Sequence, residues 1–466
     1  MTHLLSKITR FCLLLALLLG STLVSTLAQV PDSVYHERVT LLVRLWGHVK
    51  YFHPKVADGS HNWDQTLISH QPALKRAETD ADFNAVLMDM LNEVGEVPES
   101  DLDRPTAPDS LNNNLDLSWM QDPLFSEEVK DYLERVWEQA TYRSHVKVIR
   151  QWEGGPPSFD ADVAYSGGEE YPDEPLRLLA IARFWNIIHY FFPYKDLMDL
   201  DWESSLERSI PEVLGAYNGQ EYHLSMLRLV NRIDDTHSFF NSTPYWNWRG
   251  VSYPPFLARF IEDKLIVTKT ILNLGSVSVG DFILSIDGKK VEEWVEELWP
   301  YANGSNEVTK LSIIGEMIFR GDPGSFEATL FDGTREYTVE LERSGTYTDY
   351  LLGAENEPYW IETVNGCRIG RVDMGLLERS QIPNMFNEFN RMDVLIFDIR
   401  NYPNGTLWEL VNYLFSEPIH IATFETPNIT FPGHFFMVEE EIGQGSSSPW
   451  EGGLMILFDE RTLSQA

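Results

Sequence analysis

The chain has 466 residues, 43% of them hydrophobic, which is enough apolar material for several packed domains. Against 36 basic residues stand 71 acidic ones, a formal net charge of −35 spread along the whole length. A surface this acidic repels nucleic-acid phosphates and anionic lipid, so neither is expected as a partner.

Residues 1–28 read as a secretory signal. Lys7 and Arg10 form a positive n-region, Phe11–Leu27 is largely apolar, and Thr26-Leu27-Ala28 offers small residues before Gln29. Ser21, Thr22, Ser25 and Thr26 interrupt the run short of a comfortable membrane span. No later stretch is apolar enough to cross a bilayer, so the mature protein is expected without an integral membrane segment, exported to a periplasmic or extracellular space. Cys12 would leave with the signal, and Cys367 is then alone, which excludes an intramolecular disulfide and thiolate metal clusters. Between turn-like flanks, Cys367 reads as an inert core thiol in preference to a nucleophile.

Two helical regions follow, residues 29–152 and 176–250, and they are related. Sliding the chain by 139 positions brings Arg44, Trp46, Tyr51, Phe52, Pro54, Trp63 and Leu67 onto Arg183, Trp185, Tyr190, Phe191, Pro193, Trp202 and Leu206. In the same register Pro72, Ala77 and Asn92 meet Pro211, Ala216 and Asn231. The coincidence of rare Trp and Pro argues for two copies of one helical unit. In the second copy, Leu178, Ile181, Trp185, Ile188 and Phe192 recur at helical spacing until Pro193 stops the helix. Leu224, Leu227, Val230 and Ile233 form the stripe of a partner helix. Both stripes read as core packing. The polar, Gly- and Pro-rich stretch 153–175 reads as a linker between the copies.

From residue 251 to 345 the texture is β. Lys264–Thr268 and Asp281–Ile286 read as strands, Asp287-Gly288 as a hairpin turn, and 325–330 with 337–341 as a hairpin across Asp332-Gly333. Gly280-Asp281-Phe282-Ile283-Leu284-Ser285-Ile286-Asp287-Gly288-Lys289-Lys290-Val291 closely resembles the signature of a PDZ domain. The resemblance implies a peptide groove, although Leu272–Val279 is too short for the helix that usually precedes this signature.

Residues 358–466 read as the start of a parallel-sheet α/β core. Val394–Phe397 and Leu454–Phe458 are continuous apolar runs, as expected of strands buried on both faces, and Leu407–Phe415 between them has helical spacing. The loops leaving parallel strands share one sheet edge, where such folds put their chemistry. Those loops are Asp398-Ile399-Arg400-Asn401-Tyr402-Pro403-Asn404-Gly405-Thr406 and Asp459-Glu460-Arg461-Thr462-Leu463-Ser464-Gln465-Ala466.

In arrangement and motif these loops resemble the tail-specific and tricorn-core serine peptidases. In that family the oxyanion loop reads Asp-Leu-Arg-Asn-x-Pro-Gly-Gly, and the nucleophile follows the next strand as Ser-x-x-Glu. Carried over by position, the resemblance implies Ser464 as nucleophile and the backbone N–H groups of Gly405 and Gln465 as the oxyanion hole. Asn404 stands where a first glycine is usual. A serine hydroxyl needs a base to take its proton and donors for the oxygen of its tetrahedral intermediate. Asp234-Asp235-Thr236-His237-Ser238 resembles the family's Asp-x-His element, which makes His237 the candidate base. Its place four and seven residues beyond Ile233 and Val230 puts it at the rim of a buried face, and Thr236 is a candidate to orient the ring. In the first copy Pro98 occupies the equivalent position, so only the second copy carries the site.

His48, His53 and His61 match no metal-ligand spacing, and no His-Glu-x-x-His occurs, so neither metal nor other cofactor is expected. Asn241, Asn303, Asn404 and Asn428 match the glycosylation triplet, relevant only in a eukaryotic secretory route. The expected substrate is a polypeptide, taken through its C-terminus in the family pattern. The resemblance also implies that the chain is an inactive fragment of a longer frame, with the remaining partner, lysine or glutamate, downstream. The rival reading is a non-catalytic peptide-binding protein. An α/β-hydrolase esterase is disfavoured because no Gly-x-Ser-x-Gly elbow is present.

Overall fold

The computed structural model describes residues 31–464, except 101, 107, 109, 110, 112, 113, 151–154, 166, 167, 169, 273 and 347–356. The expected signal peptide and Gln465 therefore lie outside the described residues. The chain is mixed α/β and divides into two compact units. One comprises the described residues up to Pro105 with Asp116–Val146, and the other those of Thr106–Leu115 with Lys147 onward. Among the described residues no helix is long and apolar enough to cross a membrane.

The first unit is helical: α1 (Asp32–Phe52), α2 (Trp63–Arg76), α3 (Asp80–Val94) and α4 (Glu127–Glu138). Thr79 caps α3 in a reciprocal capping box with Asp82. Trp46, Tyr51 and Phe52 are fully buried at its centre. Each such ring removes roughly 150–250 Å² from water, on the order of 4–6 kcal/mol before entropy is charged.

The second unit begins with α5 (Glu174–Phe191), α6 (Trp202–Leu214) and α7 (Gly219–Asn231). Adding 139 to the last residue of α1 and to the first residues of α2 and α3 gives those of α5, α6 and α7. The internal bonds match too. Trp63 Nε1 donates to the Trp46 carbonyl at 2.9 Å, and Trp202 Nε1 to that of Trp185 at 3.0 Å. Arg38 donates to the Ala77 carbonyl as Arg177 does to that of Ala216. Of the expected α5 stripe, Leu178, Ile181 and Trp185 are buried, while Ile188 and Phe192 are only half-buried.

Next comes an antiparallel sheet of β1 (Phe256–Ile261), β2 (Lys264–Thr270), β3 (Phe282–Ile286), β4 (Gly324–Phe331) and β5 (Glu336–Arg343), in that spatial order. Lys289–Lys290 pairs with the end of β3 across a turn in which Asp287 and Gly288 both take positive φ, 51° and 77°. No described residue of 272–279 is helical. Two helices that the periodicity did not single out, α8 (Val291–Leu298) and α9 (Glu307–Phe319), contribute Leu298, Ile314 and Ile318 to the sheet's core.

The C-terminal sheet contains β6 (Tyr359–Val364), β7 (Cys367–Asp373), β8 (Val394–Asp398) and β11 (Gly453–Leu457), ordered β11-β8-β7-β6. β8 runs parallel to both β7 and β11, whereas β6 is antiparallel to β7. Between β7 and β8 lies α10 (Ile382–Glu388), and between β8 and β11 lie α11 (Leu407–Leu414) and an antiparallel ribbon, β9 (Ile419–Pro427) with β10 (Phe435–Ile442). β8 is buried as expected, but β11 is not: Leu454, Met455 and Ile456 are exposed by 44%, 55% and 54%. The reason is position. Among the described residues β11 is an edge strand, with β8 as its one neighbour. Cys367 also departs from expectation, being half-buried at the first position of β7 and not in the core.

Candidate active site

The loops after β8 and β11 lie together at the C-terminal edge of this parallel pair. The Ile399 amide donates to the Leu457 carbonyl at 2.9 Å, carrying the ladder one step past the strands. Beyond it the Thr462 hydroxyl accepts from the Asp459 amide at 3.1 Å and donates to the Ile399 carbonyl at 3.2 Å, which clasps one loop to the other.

Two carboxylates flank the clasp, and each has its own arginine. Asp398 receives Arg400 Nε at 2.9 Å and Nη2 at 2.5 Å, and these bonds hold its carboxyl below the ordinary range. For Asp459 burial acts upward, but bonds from Arg461 and the charges of Arg461 and Arg259 outweigh it, so its pKa too is lowered. Both stay ionised at neutral pH, which suits them to fixing loop shape and not to giving up a proton.

The first loop is further pinned to the turn after β7. Asn401 Nδ2 donates to Asp373, Asn401 Oδ1 accepts from the Gly375 amide at 3.1 Å, and the Asn404 amide donates to the Met374 carbonyl at 3.0 Å. A side chain at Gly375 would press to 2.8 Å from Asn401 Cγ, so the approach requires glycine. Gly405 takes φ 66° and its carbonyl accepts from Arg379 Nε at 2.9 Å. Its N–H makes no hydrogen bond among the described residues, leaving a donor free at the loop surface. Asn404 is exposed beside it. On the second loop Ser464 is exposed and holds φ 63°, a left-handed conformation that costs a non-glycine residue roughly 1–2 kcal/mol. Cys367 lies at the opposite end of β7, roughly 20 Å of strand from Asp373.

His237 is not on a helix. α7 ends at Asn231, and Asp234 turns the backbone to φ 53° before the histidine. The side chain of His237 is 59% exposed, not at the rim of a buried stripe. Nor does Thr236 orient the ring: its hydroxyl is engaged with Ser305, at 3.0 Å from the Ser305 hydroxyl. Asp235 does so instead, its Oδ1 lying 3.1 Å from His237 Nδ1 and accepting the His237 amide at 2.8 Å. Asp235 was visible in the Asp-x-His spacing without a role attached; Thr462, Asp373 and Arg379 had no signal in the sequence. Among the described residues no hydrogen bond joins His237 to Ser464, and Nε2 of His237 has no partner. No group of three His, Cys, Asp or Glu among them could hold a metal ion.

No protein-family model matches the chain, and no curated protein matches its sequence. It is similar to solved structures at low identity. Mature CPAF complexed with lactacystin aligns at 13% identity and TM-score 0.41, over 53% of this chain and 61% of that one. A CPAF point mutant aligns at 12% identity and TM-score 0.46, over 62% and 79%. A candidate peptidase from Parabacteroides merdae aligns at 13% identity and TM-score 0.33, over 62% and 69%. The chain thus spans about three fifths of the length of mature CPAF.

Proposed function

We propose that this chain belongs to a serine peptidase of the tail-specific type, which hydrolyses exported polypeptides by acyl transfer. The observation that carries the reading is the paired loops. An exposed serine in a strained left-handed conformation follows one parallel strand, and a free glycine amide follows its neighbour, clasped together at the sheet edge by Thr462. Strain of this kind is characteristic of positions where a nucleophile must be presented.

In this reading Ser464 attacks the scissile carbonyl and His237 takes its proton. Asp235 holds the ring through Nδ1, so that Nε2 is the basic nitrogen. The Gly405 amide, with that of Gln465, donates to the oxygen of the tetrahedral intermediate. His237 then returns the proton to the leaving amine, and water repeats the sequence on the acyl-enzyme. Residues 251–345 form a PDZ-like module that binds the substrate chain, in keeping with the positive-φ turn at Asp287-Gly288 inside the signature.

Chemical labelling and two substitutions test the reading. A fluorophosphonate probe is expected to modify Ser464, and Ser464→Ala and His237→Ala each to abolish hydrolysis of an unfolded polypeptide without loss of peptide binding. Turnover by His237→Ala at near the wild-type rate would remove the histidine from the mechanism. The rival reading, a peptide-binding protein without catalysis, is favoured by the missing His237–Ser464 hydrogen bond. It requires a wild type that binds peptides and never cleaves them.

A further inference from the structure

The turn that carries His237 is fastened from outside its own helical unit. Asp234, immediately after Ile233, has a carboxyl only 12% exposed. Its Oδ1 accepts from Lys310 Nζ at 2.6 Å and its Oδ2 from the Asp199 amide at 2.8 Å. Lys310 is itself 7% exposed, sits in the first turn of α9, and packs its ammonium 5.5 Å from the Trp299 ring centroid. Two residues beyond Asp234, the Thr236 amide and hydroxyl meet the Ser305 hydroxyl at 3.1 and 3.0 Å, and the Ser305 amide returns a bond to Thr236 Oγ1 at 3.0 Å. Asn303 Nδ2 donates to the carbonyls of Thr236 and Ser238, at 3.0 and 2.8 Å, spanning His237 on both sides.

These bonds have one feature in common. Apart from the Asp199 amide, every group on the far side belongs to the stretch leading into α9 or to α9 itself, within the module that carries the PDZ-like signature. Asp234 is also the residue whose left-handed backbone, three positions after α7 ends, aims the turn. A buried carboxylate needs a counter-charge, and Lys310 is the one within 3 Å.

On this basis we infer that Lys310 is a positioning residue for His237: through Asp234 it fixes the turn from which the base is presented, so the peptide-binding module sets the geometry of the proton acceptor. Lys310 touches neither substrate nor reacting atoms. The inference rests on the reading of His237 as base, and its test is built to separate the two.

Lys310→Met removes the charge while keeping most of the side-chain volume, and Lys310→Arg restores a cation. Hydrogen–deuterium exchange of the amides of residues 235–238 reads the clamp without reference to activity. For Lys310→Met it should accelerate about tenfold, and for Lys310→Arg it should stay near wild type. Over the same variants kcat for an unfolded polypeptide should fall about tenfold or more in Lys310→Met and recover in Lys310→Arg, with KM nearly unchanged. Ser305→Ala, an exposed change that leaves no buried charge, should accelerate the same amides by a smaller factor and provides the check if Lys310→Met folds poorly. Faster exchange in an otherwise inactive wild type would support the clamp and overturn the catalytic reading. Unaltered exchange in both Lys310→Met and Ser305→Ala would overturn the clamp, as would an equal loss of kcat in Lys310→Met and Lys310→Arg.

Discussion

Thr462→Val is the sharpest probe of the two-loop site, because valine has the shape of threonine and lacks only the hydroxyl. That hydroxyl makes two bonds, from the Asp459 amide at 3.1 Å and to the Ile399 carbonyl at 3.2 Å. Each contributes about 1 kcal/mol net, and the half-buried partners left behind add to the loss, so about 2 kcal/mol of loop alignment disappears. At 1.4 kcal/mol per factor of ten, the fraction of molecules with Ser464 beside the Gly405 amide falls by roughly thirtyfold where the aligned state has little margin. The strand ladder is untouched, since the Ile399 amide still reaches the Leu457 carbonyl. Global stability should therefore change little while reactivity at Ser464 falls. The assay is the second-order rate of fluorophosphonate modification of Ser464, with Thr462→Ser as the control that keeps both bonds. A decrease of about tenfold or more for valine, and of less than about threefold for serine, is expected. Modification of Thr462→Val at the wild-type rate would show that the loops align without the clasp.

Two further predictions concern the helical units. Trp185 Nε1 donates to the Trp202 carbonyl at 2.9 Å, whereas the buried Trp46 Nε1 has no partner among the described residues. Trp185→Phe should cost about 1–3 kcal/mol more than Trp46→Phe, read from urea dependence of hydrogen exchange in each unit; equal costs would contradict the difference in bonding. His48 is fully buried, and burial pushes its pKa down from 6.5 to about 4, outweighing the upward effect of its bond to the Leu133 carbonyl. The unfolded chain takes up this proton below pH 6.5 and the folded one refuses it until about pH 4. Stability is accordingly present at neutral pH and lost as pH falls through that window, by about 2 kcal/mol at pH 5. His48→Gln should flatten that part of the acid dependence in urea unfolding, and an unchanged slope would refute the assignment.

The parts legible in the sequence are those that local spacing dictates. The offset of 139 was readable because Trp46, Tyr51, Trp63 and their counterparts Trp185, Tyr190 and Trp202 are all buried, and large rings in a close-packed core have few substitutes. β8 and β11 were readable as apolar runs, but such a run does not say how many neighbours a strand has. β11 was accordingly read as buried although it lies at an edge. The ribbon β9–β10 escaped because its exposed faces mix Phe424, Phe436 and Met437 with glutamates, which blurs the alternation. The motif singles out His237, and periodicity misplaces it on a helix. The stripe Val230–Ile233 extrapolates smoothly through a helix that has already ended at Asn231, and the turn beyond it is held at Asp234, whose partner Lys310 lies 76 residues away. No local pattern reports a partner at that distance.

The Asp459 loop and the His237 turn are held to one module, residues 251–345, in unequal ways. At the Asp459 loop, Arg259 of β1 reaches Asp459 at 3.3 Å and Glu460 at 3.7 Å, with its side chain 34% exposed. Ion pairs of this kind are screened by water and salt and contribute about 0.2–1 kcal/mol each. At the His237 turn, the Lys310–Asp234 pair is largely dry, and the hydrogen bonds of Asn303 and Ser305 reinforce it. Breaking one partner of a buried pair leaves an uncompensated charge and costs about 3–5 kcal/mol, several times the surface pairs. A force applied to the module would therefore move the His237 turn with it and release the Asp459 loop first. Change in the distance between His237 and Ser464 is then expected to come at the Arg259 contact.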